Sequence, residues 1–505
     1  MNVNAVKPWE RRAIFFILAA ATALRVYKLD SPLWFDEMAT VINYVRAPFA
    51  QVIADYSSFN NHLFYSIQAK LSVLAFGESP WSLRFPALLF GVGSIWLVWR
   101  IARRYCDPKV ALLSAALLAV SYHHIWFTQN ARGYTELMFW SLAALAAFEA
   151  NRQSGDWRRW LLFALCLACA MYTHLTAAFF VAALGLTWIA TLAARRFPRL
   201  LPSALAAPAG AAQWTPLFGF ALGGAITILL CLPAISQMAT LIGAVDDTVD
   251  IDVMAEYRNP LWSVAEGFRT IIGGSALMAV AAPVATVVMI VGGVSLWKRA
   301  PAFVLVAILQ IPVTLIALSI VSMRVWPRFF FNEFAFASVF IAEGAFVLAS
   351  FIAPWMERRG VLKASSGSLF LAGAAAMLAA SMTMALRNYT MPKQNFEAPL
   401  RMLEAQGAEP VSVGVVGWAY VPYLNFYEKD WKRLYAASDI AALKPTDGHI
   451  WVVSAFPART SRANADIWAV LQRDFEVAGA WPGSLGDGRV MLFRSKDQLS
   501  ETSVR

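Results

Sequence analysis

Charge is scarce in this chain. Asp, Glu, Lys and Arg make up 15% of its 505 residues, and hydrophobic residues make up 59%. A soluble globular chain carries about 25% charged and about 45–50% apolar residues, so the expected solvent is the bilayer. Cysteine is scarce too. The four present, Cys106, Cys166, Cys169 and Cys231, lie in or beside apolar runs, which excludes a disulfide framework. Cys166 and Cys169 form a C-x-x-C inside an apolar run, without a second Cys or His pair at ligand spacing, and read as packing residues. The C-terminal part lacks a Gly-rich phosphate loop and a catalytic triad, and the chain shows no internal repeat. The net charge is +10. Its Lys and Arg residues cluster briefly between apolar runs, which points to membrane lipids as partners and excludes nucleic acid.

A membrane helix needs about 20 apolar residues. Candidate runs stand at about 12–29, 82–102, 109–126, 134–150, 157–173, 175–194, 216–236, 272–296, 301–321, 330–353 and 366–386, eleven in all, the fifth short. The first follows Lys7, Arg11 and Arg12 as a signal peptide would, but lacks a small-residue cleavage site and reads as an uncleaved span. With the N-terminus in the cytoplasm, the inside loops hold Arg100/Arg103/Arg104/Lys109, Arg152/Arg158/Arg159, Arg195/Arg196/Arg199, Lys298/Arg299 and Arg358/Arg359/Lys363, as the positive-inside rule requires. An odd count places the chain after about residue 388 on the outer face.

The expected fold is therefore a polytopic α-helical membrane protein, with a transmembrane domain over 1–387 and an extracytoplasmic α/β domain over 388–505. In the latter, Val411–Trp418, His449–Phe456 and Arg489–Arg494 read as strands and Ala463–Phe475 as a helix. The outer segment 30–81 interleaves aromatic and polar residues and reads as helices lying in the membrane interface. A second outer segment, 237–271, holds Asp246, Asp247, Asp250 and Asp252 and is long enough for a lid or an acceptor-binding loop. The stretch 200–215 reads as a linker or surface helix.

Five constellations fall at the outer ends of these runs. Asp36-Glu37 follows Trp34-Phe35; two carboxylates beside aromatic residues near a membrane suit a general base as well as an exposed acidic pair at a helix N-terminus. In Asn60-Asn61-His62-Leu63-Phe64-Tyr65, His62 fits a metal ligand, a donor to phosphate or a polar interface residue, and Lys70 fits a headgroup contact or a snorkelling side chain. Arg132, in Asn130-Ala131-Arg132-Gly133-Tyr134-Thr135-Glu136, breaks the charge bias and suits a bound anion, or else a salt bridge to Glu136. Tyr172-Thr173-His174 and Met323-Arg324-Val325-Trp326-Pro327-Arg328-Phe329-Phe330 close the set, and His123-His124 is weak metal evidence. Carboxylates, histidines and arginines at one membrane depth suit a lipid-linked anion with a base beside it. A transporter or flippase of lipid-linked sugars is the alternative from another class; it calls for midplane charges and inverted repeats.

Taken in order, Trp34-Phe35-Asp36-Glu37, Asn61-His62-Leu63-Phe64-Tyr65, Leu83-Arg84-Phe85-Pro86, Gln129 to Tyr134, Tyr172-Thr173-His174 and Arg328-Phe329-Phe330 resemble the GT-C membrane glycosyltransferases. The resemblance is to the branch holding the protein O-mannosyltransferases and the bacterial lipid A aminoarabinose transferase, and covers about residues 12–350. It implies an inverting transferase moving a sugar from a polyprenyl (undecaprenyl) phosphate to a lipid, glycan or protein acceptor at the outer face of the bacterial cytoplasmic membrane. It implies Asp36 as base with Glu37 as companion, Arg132, Arg328, Lys70 and Tyr134 at the donor phosphate, and His62, Tyr65 and His174 at the substrate. A divalent ion on His62 and Glu37 is a further expectation. His62 stands where the family often has His-Pro-Pro-Leu-x-Tyr, and this chain has no proline there; Phe329 stands where the family commonly has Tyr.

Overall fold

The computed structural model describes residues 6–243, 259, 261–263, 265–266, 276–360, 365–446, 448–484 and 486–496. Most of the expected segment 237–271, including its four aspartates, lies outside the described residues.

Long apolar helices fill the first three-quarters of the chain. Twelve open it: α1 (Pro8–Val26), α2 (Phe35–Thr40), α3 (Phe49–Ala54), α4 (Leu63–Phe76), α5 (Pro80–Tyr105), α6 (Pro108–Ala119), α7 (Tyr122–Thr128), α8 (Tyr134–Asn151), α9 (Trp160–Thr173), α10 (Ala177–Arg196), α11 (Thr215–Cys231) and α12 (Ile235–Gly243). Ala276–Trp297, Pro301–Ile320, Glu333–Arg358 and Ser366–Ala385 follow. Among the described residues, six segments are long and apolar enough to cross a membrane: α5, α10, the α11–α12 run, and those opening at Pro301, Glu333 and Ser366. The pair α6–α7, bent by 59°, makes a seventh if counted as one span. The protein is thus a multi-pass membrane protein, but eleven spans are not established. α1, α8, α9 and Ala276–Trp297 stand at the other four expected positions without meeting the same standard. α9 has only 14 residues, and α1 carries Glu10, Arg11, Arg12 and Arg25.

Local chemistry explains the joints. The buried Arg25 guanidinium donates to the Leu118 and Ala119 carbonyls at the end of α6 and meets His124 Nδ1 at 2.7 Å on α7. A cation on the last carbonyls of a helix is favoured by its dipole, and here it closes the break between α6 and α7. Gly292 and Gly344 let two helices touch: a Cβ on Gly292 would stand 1.8 Å from the Phe340 carbonyl oxygen. Small residues serve this purpose where lipid offers no hydrophobic drive to association. At the end away from the C-terminal domain, Arg103 holds Glu10 at 2.6 Å and Arg152 holds Glu149 at 3.4 Å. The stretch 200–215 forms two short 3-10 turns, at Ser203–Leu205 and Gly210–Trp214.

The segment 30–81 folds inward rather than lying flat. Trp34, Tyr44, Tyr56 and Tyr65 are buried; α2, a π-helical turn (Val41–Val45) and α4 share an apolar cluster with the start of α5 and the C-terminal domain, and Tyr56 packs with Leu63, Tyr172 and Cys231. That domain is a five-stranded sheet of β1 (Val413–Val416), β2 (Lys432–Leu434), β3 (Trp451–Ala455), β4 (Phe475–Trp481) and β5 (Val490–Ser495), in the order β2-β1-β3-β5-β4. β1 pairs in parallel with β2 and β3; β5 runs antiparallel to β3 and β4. One apolar cluster joins the domain to the helices: Val413, Val453 and Leu492 share it with Leu33, Met38, Val41 and Leu83.

Candidate functional site

Asp36 and Glu37 are neighbours on the first turn of α2, yet their surroundings differ. Glu37 is 0% exposed. Its Oε1 accepts from Arg84 Nε (2.7 Å) and the Ala131 N–H (2.6 Å). Its Oε2 accepts from Arg84 Nη2 (2.7 Å) and the Trp34 N–H (3.2 Å). A carboxylate offers about four lone-pair sites, and all are used. Burial would raise the pKa of Glu37, but the charges of Arg84 and Lys393 and the hydrogen bonds from Arg84 and Ala131 outweigh it and hold it at about 2. Arg84 also donates to the carbonyls of Leu29, Ser31 and Pro32. Glu37 is thus a knot tying α2, α5 and the loop before α8, with no lone pair left for a metal or a transferred proton.

The Asp36 side chain keeps 23% exposure, and Arg132 Nη1 lies 3.7 Å from its Oδ2. Two contacts fix the Asp36 backbone: Thr40 Oγ1 and Asn60 Nδ2 both donate to its carbonyl. Phe35, one residue before, anchors the turn in the C-terminal domain. Its N–H donates to Gln394 Oε1 (3.1 Å), and its ring stacks on Trp418 (5.5 Å) and meets Phe456 edge-on (5.1 Å).

His62, Arg132, Tyr134 and His174 gather beside Asp36. The His62 ring meets His174 at 4.4 Å and Tyr134 at 5.0 Å, both edge-on. Burial, then the charge of Arg132, then His174 and Arg328 hold His62 well below its usual range, so it is neutral. Burial, Arg132 and Arg328 lower His174 to about 3. Gly133 N–H lies 3.0 Å from His62 Nδ1, and Arg132 Nη2 lies 3.0 Å from His62 Nε2. A neutral imidazole has one acceptor nitrogen and one N–H. Gly133 and Arg132 can both only donate, so whichever ring nitrogen carries the proton, one of the two donors is left facing an N–H. The Nε atoms of Arg132 and Arg328 are both buried without a hydrogen-bond partner. Arg132 also donates to Asn60 Oδ1. It does not pair with Glu136, whose Oε1 receives Gln68 Nε2 at 2.5 Å and Trp140 Nε1 at 3.2 Å. A side chain at position 133 would displace this arrangement, since a Cβ there would stand 2.9 Å from His62 Nδ1 and 2.7 Å from Thr173 Cγ2.

Several expected site residues have other work. Lys70 Nζ donates to the Val45 and Ala47 carbonyls at 2.9 and 2.6 Å, capping the π turn. Tyr65 is fully buried and its hydroxyl donates to the Leu83 carbonyl at 2.7 Å, which removes it from the substrate. The metal expectation at His62 and Glu37 does not fit either: the first has N–H donors on both nitrogens and the second has its oxygens filled. Among the described residues no three His, Cys, Asp or Glu side chains converge on a metal position. Asn60 and Arg84 were legible only as motif members; an Arg in the first turns of an apolar span, after a carboxylate pair, is the signal that marks Arg84.

Residues 63–211 match the family model described as dolichyl-phosphate-mannose-protein mannosyltransferase. That segment includes Arg132, Tyr134 and His174 and excludes Asp36, Glu37 and Arg328. No curated protein sequence matches the chain. Among solved structures, ArnT from Cupriavidus metallidurans in the apo state is 13% identical, with 95% of this chain and 97% of that one covered at a TM-score of 0.55. The archaeal oligosaccharyltransferase AglB from Archaeoglobus fulgidus, in complex with an inhibitory peptide and a dolichol-phosphate, is 12% identical, with 93% of this chain and 72% of that one covered at a TM-score of 0.52. One segment of the chain is thus similar to the dolichyl-phosphate-mannose-protein mannosyltransferase family, and nearly the whole chain shares the fold of ArnT and AglB.

Proposed function

We propose that this protein transfers a sugar from a polyprenyl phosphate to an acceptor at the outer face of the cytoplasmic membrane, with Asp36 as general base and inversion at the anomeric carbon. One observation carries the reading. A neutral His62 meets donors at both ring nitrogens, two arginine Nε–H groups nearby are buried without acceptors, and Asp36 is 3.7 Å from Arg132. An anion satisfies all these donors at once, beside a carboxylate that is still accessible.

The chemistry follows from the charges. A polyprenyl phosphosugar is a phosphodiester with one negative charge. The acceptor oxygen or nitrogen bonds to the anomeric carbon while the carbon–oxygen bond to phosphate breaks. The bonding pair stays on phosphate, which leaves as a dianion, and the acceptor proton passes to Asp36. The phosphate gains one negative charge during the step, where Arg132 and Arg328 stabilise it. Asn60 keeps both partners in register through the Asp36 carbonyl and the Arg132 guanidinium. The AglB complex, with dolichol-phosphate and peptide bound to the same fold, supports a lipid phosphate and a separate acceptor meeting in such a bundle. The topology that puts the site outside rests on the basic inside loops.

The test is transfer in vitro from undecaprenyl phosphosugars by purified protein in lipid nanodiscs. Asp36→Asn is expected to lower the rate by about 10²–10⁴-fold while leaving folding and donor binding intact. Normal transfer by that variant would exclude Asp36 as the base.

A further inference from the structure

A cavity of about 600 Å³ lies in the seam between the helix bundle and the soluble domain, a size within the range of about 300–1,000 Å³ usual for ligand sites. Its lining includes Lys28 after α1, Trp126 and Gln129 at the end of α7, and Asn388, Lys393 and Gln394 in the linker to the soluble domain. It shares no lining residue with the cluster of Asp36, His62, Arg132, His174 and Arg328.

The charge of the cavity sets the ligand class. Among the described residues its wall holds the cations Lys28, Arg84, Lys393 and Arg401 and one carboxylate, Glu397. Arg84 is paired with Glu37 at 2.7 Å and Arg401 with Glu397 at 2.6 Å. Lys28 and Lys393 pair with no carboxylate among the described residues. Lys28 Nζ donates to the Tyr389 carbonyl at 2.7 Å; Lys393 Nζ donates to the Gln129 carbonyl and lies 5.0 Å from the centre of the Trp126 ring. Burial lowers the Lys393 pKa to about 7, while Glu37 attracts its charge and Arg84 repels it. Two ammonium groups therefore line one cavity without a counter-charge in contact, which favours an anion.

Two buried amides sharpen this. Gln394 is 1% exposed. Its Oε1 accepts the Phe35 N–H at 3.1 Å, which fixes the amide, and its Nε2 is buried without an acceptor. Asn388 is fixed in the same way: its Nδ2 donates to the Tyr122 carbonyl at 2.9 Å, and its Oδ1 is buried without a donor. Buried polar atoms without partners are few in native structures, and each calls for an explanation. Here they add one N–H donor for an anion and one acceptor for a hydroxyl group beside it.

The position decides what carries that anion. Lys28, Asn388 and Tyr389 stand just beyond the ends of α1 and of the helix Ser366–Ala385. On the same helix ends Val26, Tyr27 and Leu386 are each more than half exposed, and the Tyr27 ring meets Tyr389 edge-on at 5.1 Å. Exposed apolar side chains beside tyrosines mark a membrane interface, and a basic pocket between helix ends suits an anionic headgroup. We propose that this cavity binds the phosphoglycerol headgroup of an anionic phospholipid. Lys28, Lys393 and the Gln394 amide hold its phosphate, Asn388 accepts from a glycerol hydroxyl, and the acyl chains run along Val26 and Leu386. The lipid is then a third partner in the seam, beside the amide that holds Phe35. The proposal does not depend on the sugar-transfer reading.

The experiment uses the full-length protein, delipidated in dodecylmaltoside and titrated with phosphatidylglycerol or phosphatidylcholine, with bound lipid counted by native mass spectrometry. Wild type is expected to bind phosphatidylglycerol about tenfold or more tighter than phosphatidylcholine. Lys28→Met and Lys393→Met are each expected to weaken phosphatidylglycerol about fivefold, the worth of one basic side chain at a headgroup, and to leave phosphatidylcholine unchanged. Lys28 is exposed, so its variant reads the pocket even where Lys393→Met fails to fold. Arg132→Gln is expected to leave phosphatidylglycerol affinity unchanged; a loss equal to that of the lysine variants would put the lipid at the other anion site and overturn the proposal. Displacement of the lipid by millimolar inorganic phosphate would show a pocket for free phosphate and overturn it too. So would equal affinity of wild type for the two lipids, or an unchanged affinity in Lys28→Met.

Discussion

Glu37→Gln is expected to unfold the protein more readily, not to slow its chemistry selectively. The substitution keeps size and shape. It replaces an oxygen that accepts two N–H groups with an NH₂ that meets the same N–H groups, and it leaves Arg84 charged and buried. Arg84 has three backbone carbonyls besides Glu37 and no second carboxylate. Removing one partner of a buried ion pair costs about 3–5 kcal/mol, about two to four decades in an equilibrium constant at 1.36 kcal/mol per decade. Denaturation in mixed dodecylmaltoside and SDS micelles, followed by tryptophan fluorescence, would register this as a large shift of the midpoint. Asp36→Asn, one residue away, is expected to shift it hardly at all while lowering transfer by about 10²–10⁴-fold. The reasoning fails if Glu37→Gln is as stable as wild type and loses only turnover, for the carboxylate would then belong to the chemistry.

The same carboxylate predicts acid sensitivity. Its pKa is about 2 in the folded protein against an ordinary 4.5, so its stabilisation is present above pH 4.5 and is lost as pH falls toward 2; a denaturation midpoint that does not fall across that window in wild type, or falls equally in Glu37→Gln, would contradict this. Arg132→Gln is expected to weaken undecaprenyl phosphate binding about ten- to hundredfold, from about 1.5–3 kcal/mol per charged hydrogen bond, as read by thermophoresis. Trp418→Ala is expected to lower kcat about tenfold with KM little changed, because it frees the residue before Asp36; Trp418→Phe, which keeps the stack, should recover most of the rate, and equal loss in both variants would sink the positioning role. Lys70→Met and Tyr65→Phe are expected to leave donor affinity unchanged while Tyr65→Phe costs about 1 kcal/mol of stability, since each group serves a backbone carbonyl.

Much of this arrangement was legible in the sequence because motif order and membrane sidedness are one-dimensional properties. The run from Asp36 through His62, Arg132 and His174 to Arg328 could be placed at one end of the bundle from apolar runs and basic loops alone. Three strands and a helix of the tail were legible from their apolar patterning. β2 and β4 were not: β2 has three residues, and β4 follows its helix without a break and is largely exposed. The division of labour inside the site was also hidden. Nothing in Asp36-Glu37 says which carboxylate will be saturated, since the donors arrive 47 residues on at Arg84 and 94 residues on at Ala131. Lys70 and Tyr65 looked functional because their chemistry fits, and their partners are carbonyls that sequence cannot display.

The docking of Phe35 on Trp418 and Phe456 has a consequence for how the enzyme is made. Synthesis runs from the N-terminus, and domains fold as they emerge. The loop bearing Asp36 enters the membrane environment early, but its last supports are made near the end of translation. Until then the turn lacks the Gln394 acceptor and the aromatic seat that fix it. On the proposed reading of Asp36 as base, the turn is fully seated only once the soluble domain has folded, and a chain truncated before Trp418 is expected to show no transfer in the same assay.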